Sequence, residues 1–190
     1  STSEGFYRFD PASRDLKFFK LGSNLDLWVF YEDEEKTLWG SAYITGLFEL
    51  TVSKEELVHH PHYAANPTNI PETIIDITQD VCGNLWIVSG DANTGLYQLS
   101  QRARKFRNYT PNKNRELFSN KMQTLSVSEN SIWIGDSLTL VRYDHSPTSR
   151  SWQMPANLSR FPVLKECADG EIWIETTGAG ISNSEILPIL

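Results

Sequence analysis

Four histidines, two cysteines and a scatter of carboxylates are the residues of this 190-residue chain whose types could do chemistry. Three of the histidines fall together in "VHHPHY", as His59, His60 and His62, and the fourth is His145. Imidazole is a good metal ligand, but a metal site gathers three or four donors at one point. Pro61 interrupts this run and no Cys or carboxylate stands beside it at ligand spacing. The reading is therefore an exposed loop, with no metal and no cofactor. Cys82 and Cys167 are too few for a disulfide framework. They sit in turns of repeat units two apart, beyond the ~7 Å between Cα atoms that a bridge tolerates, so two free thiols are expected. A Ser-His-Asp triad cannot be assembled, and no catalytic residue is expected. What remains is recognition. A polar ligand calls for planar aromatics, carboxylate or amide acceptors and a guanidinium around a concavity. Tyr43, Tyr63, Asp91, Asn93 and Arg115 are the ligand-binding candidates.

The elements that would position them are short. Apolar residues alternate in brief runs bounded by turn residues, which is the strand pattern. Only Lys54 to His59 suggests a turn or two of helix. Aligned on tryptophan, the chain repeats itself: "TLWGS" carries Trp39, "NLWIV" Trp86, "SIWIG" Trp133 and "EIWIE" Trp173, at spacings of 47, 47 and 40 residues. Three residues before each Trp stand Lys36, Gly83, Asn130 and Gly170. Gly and Asn tolerate positive φ, so a tight hairpin turn is expected there. Lys36 is the misfit, and its turn is expected to differ. A third strand follows each Trp strand, as "TGLFEL", "TGLYQL" and "TLVRYD", with an early copy in "GFYRFD" and a late one in "GAGIS". A fourth reads "LKFFKL", "KFRNYT" and "RSWQM".

Units of four strands over 40 to 50 residues are the size of propeller blades. Each Trp then fills the gap between neighbouring blades. The fold class expected is all-β, a β-propeller of four-stranded blades. Residues 1–21 end one blade, 22–60, 72–110 and 119–154 are full blades, and 161–190 begin another. Because "GAGIS" and "GFYRFD" both claim the third-strand slot, simple closure into four blades is weakened and a fragment of a larger propeller is favoured. Two chains exchanging halves would instead make eight blades. A β-sandwich with accidental Trp spacing is set aside, since the turn residues recur with the anchors.

Composition narrows the partners. A net charge of -7 and a pI of about 5.1 argue against a nucleic-acid binder, which needs a basic face. No run of 18 apolar residues is present, so no direct membrane insertion of this segment is expected.

The stretches "SNKMQTLSVSENSIWIG" and "ITQDVCGNLWIVSGDANTGLYQLSQRARKFRNYT" resemble the two-component regulator propeller repeat, and "FDPASRDLKFF" and "YDHSPTSRSW" are similar to its later half. Asp33 and Asp80 match an aspartate six residues before the Trp, whereas Val127 and Cys167 depart from it. The resemblance implies the extracytoplasmic, periplasmic sensor region of a Bacteroides-type hybrid two-component histidine kinase. It implies an oligosaccharide or other small-molecule ligand, no catalysis in this segment, and contact with the remaining blades of the same protein or with a second copy. A propeller lyase or glycosidase and a protein-interaction scaffold are the alternatives. Asp80 is read as a turn residue holding its own hairpin rather than a ligand contact.

Overall fold

Short strands that are apolar on both faces must be covered on both faces, and the chain does this by setting small sheets side by side. The computed structural model describes residues 5–20, 27–42, 46–61, 70–90, 95–110, 122–128, 131–136, 139–144, 150–153, 163–167 and 170–175. These form five antiparallel sheets, with no helix among the described residues. A two-stranded sheet comes first, from β1 (Gly5–Phe9) and β2 (Leu16–Lys20). Three four-stranded sheets follow. They are β3 (Leu27–Glu32) to β6 (Glu56–His60), with β4 (Thr37–Ala42) and β5 (Gly46–Thr51) between; β7 (Ile74–Gln79), β8 (Leu85–Ser89), β9 (Leu96–Ser100) and β10 (Lys105–Tyr109); and β11 (Met122–Val127), β12 (Ile132–Asp136), β13 (Thr139–Tyr143) and β14 (Arg150–Gln153). The last sheet is again two-stranded, from β15 (Val163–Glu166) and β16 (Ile172–Glu175). Every complete sheet is a simple meander, each strand pairing with the next in sequence. This is the architecture of propeller blades.

The core lies between the sheets. Trp39 packs with Ile74, Ile77, Leu85, Ile87, Tyr97 and Leu99 of the following sheet. Trp86 does the same with Met122, Leu125, Ile132, Ile134 and Val141, and Trp133 with Leu164 and Ile174. Phe6 and Phe19 pack on Phe48 and Leu50. Trp39, Trp86 and Trp133 are 1 %, 0 % and 7 % exposed. Trp173 differs at 43 %, because among the described residues no following sheet covers it.

The turn before Trp39 is a correction. Lys36 does not change it: Lys36 takes φ 64°, as Gly83 takes 80° and Gly170 takes 86°. Asp33 N donates to Thr37 O at 3.0 Å and Lys36 N to Asp33 O at 3.0 Å, the pattern repeated by Asp80 with Asn84 and Gly83. The hydrogen bonds of the turn and its aspartate outweigh the ~1–2 kcal/mol that a side chain costs in this conformation. Two substitutions should therefore have opposite signs. Lys36→Gly relieves that strain and loses some unfolded-state advantage, for a net gain of about 0.5 kcal/mol. Gly83→Ala costs about 1–2 kcal/mol from backbone strain, since a Cβ there meets only Gln79 Nε2 at 3.9 Å. Urea titration of both variants checks the pair.

A second correction concerns the segment after Lys54. It is a turn and then β6, not a helix, so His59 and His60 lie on a strand rather than in an exposed loop.

Candidate functional site: the loop face and the seams between sheets

The connections between second and third strands, and those between sheets, are where the sequence placed ligand recognition. Tyr43, Tyr63, Asp91, Asn93 and Arg115 all lie outside the described residues. Asp136, at the end of β12, is described. It is buried, and its Oδ1 accepts the Thr139 amide at 2.6 Å, which makes it a cap for its own hairpin. Near the same end of β4, Ser41 Oγ is buried with no hydrogen-bond partner among the described residues. A hydroxyl in that state costs stability unless water or a ligand reaches it.

The opposite ends of the sheets are polar networks built around the tryptophans. Asp80 Oδ1 accepts the amides of Cys82 at 3.0 Å and Asn84 at 2.8 Å, and its Oδ2 accepts Trp86 Nε1 at 2.7 Å. One carboxylate thus closes the hairpin and aims the indole. Asp33 repeats this with the Thr37 amide at 2.8 Å and Trp39 Nε1 at 2.7 Å. It also accepts Gln101 Nε2 of the next sheet at 2.9 Å. In the third sheet the turn is one residue shorter, Ser128 N donating to Ser131 O, so Ser128 rather than Val127 occupies the aspartate slot. Its hydroxyl bonds Ser131 and does not supply the indole acceptor. Trp133 Nε1 turns instead to Glu166 Oε2 of the following sheet, at 2.7 Å. Cys167 fills the slot in the last turn, and both Cys82 and Cys167 are free thiols.

Charged side chains stitch the outer parts of the seams. Glu49 on β5 bonds His60 Nε2 at 2.8 Å and pairs with Arg104 of the next sheet. The Arg104 guanidinium also lies 5.8 Å from the Trp39 ring centre, and His60 stacks over that ring at 6.1 Å. Burial pushes the Glu49 carboxyl up, but hydrogen bonds from His60 and Arg104 outweigh it and hold the group at about 2, against an ordinary 4.5. A depressed carboxyl contributes stability above its unfolded value and loses it as pH falls through the folded one. Acid unfolding between about pH 4.5 and 2 should therefore lose about 1–2 kcal/mol through Glu49, the solvent exposure of Arg104 reducing the full linkage value. Glu49→Gln should flatten that part of the stability–pH curve, read by urea titration at each pH.

Asp76 works the other way. It follows a register shift on β7, and its carboxylate accepts Leu125 N of the next sheet at 2.8 Å and Ile77 N at 2.9 Å. Burial raises its carboxyl despite those bonds. Among the described residues no group of three His, Cys, Asp or Glu could hold a metal ion.

The site residues that sequence reasoning missed are those of the seams: Glu49, Arg104, Gln101, Asp76 and Glu166. Their partners in the neighbouring sheet are about 33 to 68 residues away in the chain, and no local spacing signals such a pair.

The fold and these seams define a class, a segment of β-propeller with three complete four-stranded blades and two partial ones described. No protein-family model matches the chain, and no curated protein sequence does. Solved structures do. The extracellular domain of the hybrid two-component system BT3049 from B. thetaiotaomicron superposes with a TM-score of 0.77 at 16 % identity, over 98 % of this chain and 27 % of that one. The corresponding domain of BT4673 from the same organism gives 0.69 at 19 %, over 93 % and 25 %. A streptogramin B lyase gives 0.67 at 15 %, over 98 % and 62 %. This chain therefore spans about a quarter of the length of the two sensor domains.

Proposed function

We propose that this chain is part of the ligand-sensing propeller of an extracytoplasmic, periplasmic sensor region in a hybrid two-component system, that its ligand is an oligosaccharide, and that it does no chemistry itself. The observation that carries this is the superposition over nearly the whole chain on the extracellular domain of BT3049. The resemblance of the Trp-centred repeats to the two-component regulator propeller repeat supports it independently. Ligand binds at the loop face through residues such as Tyr43, Tyr63, Asp91, Asn93 and Arg115. The physical basis for relay is the seams. Sheets joined by buried indoles and by carboxylates reaching into the next sheet move against one another only by breaking specific bonds. A ligand bridging loops of neighbouring blades can favour one arrangement of those seams over another.

Isothermal calorimetry with a panel of oligosaccharides, on the intact extracytoplasmic region and on its Asp91→Ala and Arg115→Ala variants, tests this reading. Heat with one glycan class, weakened tenfold or more in the variants, supports it. Silence across the panel removes the sugar. Turnover of streptogramin B or a glycoside by the same preparation favours the lyase or glycosidase alternative, whose basis is the shared fold of streptogramin B lyase.

A further inference from the structure

The first strands of the three complete sheets share one slot, and the second sheet fills it with a charge. Each of these strands shifts register near its start, between Leu27 and Val29, Ile74 and Asp76, and Met122 and Thr124. The residue after the shift pairs with the second residue beyond the tryptophan: Val29 with Ser41, Asp76 with Val88 and Thr124 with Gly135. Val29 packs on the apolar cluster around Trp39, and Thr124 is buried. Asp76 stands half-buried in the same place.

β7 and β11 are edge strands of their sheets, and an edge strand has amides that its own ladder leaves unpaired. Asp76 serves one from each. Its Oδ1 accepts Ile77 N of β7 at 2.9 Å, and its Oδ2 accepts Leu125 N of β11 at 2.8 Å. The Thr124 hydroxyl bonds the same carboxylate. The strands packed against β7 are β3, β4, β8 and β11. Of these, β4, β8 and β11 carry no charged residue. β3 brings Tyr31 and Glu32, but Tyr31 bonds Thr78 and Gln79 farther along β7, and Glu32 pairs with Lys36.

An ionised carboxylate is an acceptor only, and each oxygen can hold an amide. Once it is protonated, one oxygen becomes a donor and a single good acceptor is left. The chain itself keeps the Ile77 amide beside the carboxyl, whereas the Leu125 amide belongs to another sheet. The proton therefore displaces Leu125, and the new hydroxyl has the Thr124 oxygen as its acceptor.

We propose that Asp76 is a proton-operated latch between the second and third sheets: ionised, it ties β11 to β7 through the Leu125 amide, and protonated, it lets that amide go. Burial, the largest influence on this carboxyl, raises it above the ordinary aspartate value, so the latch works at a higher pH than an exposed aspartate would. In that window the folded chain holds a proton that the unfolded chain has lost. As pH falls through the raised value, the fold as a whole therefore gains stability while the link to Leu125 is released. Glu49, whose carboxyl is held low, has the opposite sign, which separates the two groups in a titration. This inference is independent of the proposed ligand.

Heteronuclear NMR of the 190-residue chain tests both halves at once. The Asp76 carboxyl carbon should titrate above the ordinary aspartate value, and the Leu125 amide proton should shift with the same midpoint. Protection of that amide against hydrogen exchange, corrected for the intrinsic pH dependence, should fall about tenfold as the carboxyl takes its proton, the size expected for one lost bond. Protection of Ile87, in the middle of the second sheet, should not fall. Asp76→Asn is neutral at every pH and should leave Leu125 in the released state throughout. Leu125 protection that stays level through the Asp76 titration overturns the proposal. So does a carboxyl that titrates at or below the ordinary value, or an Asp76→Asn chain that protects Leu125 at neutral pH as the parent does. The titration of the parent chain decides the matter even where the variant does not fold.

Discussion

Trp86→Ala should cost about 3–5 kcal/mol, the range for emptying a fully buried large aromatic site. Trp86 is 0 % exposed and holds together Val88, Leu96 and Tyr109 of its own sheet with Met122, Leu125, Ile132, Ile134 and Val141 of the next. Its ring also lies 5.4 Å from those of Tyr109 and Tyr143. Strands on both sides are fixed by backbone pairing, so the gap cannot close by collapse. For a chain of this length each kcal/mol lowers Tm by about 2–4 °C, so the midpoint should fall by about 10 °C. Differential scanning calorimetry reads it. A loss under 1 kcal/mol would mean that the seam between the second and third sheets does not carry the fold.

The second large effect belongs to Asp80. Asp80→Ala strands the Trp86 Nε1 and the Asn84 amide, which the carboxylate holds at 2.7 and 2.8 Å. Buried donors left without an acceptor cost about 1–3 kcal/mol each, so a loss of about 3 kcal/mol is expected from urea titration. Because one carboxylate serves both the turn and the indole, the two substitutions are not independent. The double variant with Trp86→Phe, which removes the stranded donor, should lose about 1 kcal/mol less than the sum of the two single variants. Additivity would show that the bond from indole to carboxylate contributes nothing.

The tryptophan period exposed the architecture because an indole is too large to be placed casually, and its recurrence with a turn residue three positions earlier encodes a second strand. The fourth strand of the first complete sheet was not legible. "ELVHH" follows Lys54 and Glu55 without an aromatic run, and β6 is held by pairing with β5, a contact that periodicity does not report. Lys36 is a misfit in the sequence because a side chain is disfavoured at positive φ, whereas the turn is set by Asp33 three residues before it. Six residues back from Trp133 stands Val127, one past Ser128, because the turn there is one residue shorter. The ligand candidates rest on residue type in loops, and they lie outside the described residues. The seam residues were invisible for a different reason. Glu166 finds Trp133 and Arg104 finds Glu49 only after the sheets have docked.

The acceptor for Trp133 has a mechanical implication. In the first two complete sheets the indole is tethered to a carboxylate of its own hairpin, so each keeps its tether when a neighbour detaches. Trp133 borrows its tether from β15. Peeling away residues 163–175 therefore unlatches the third sheet as well, and the two should exchange their amide hydrogens as one fraying unit while the earlier sheets stay protected.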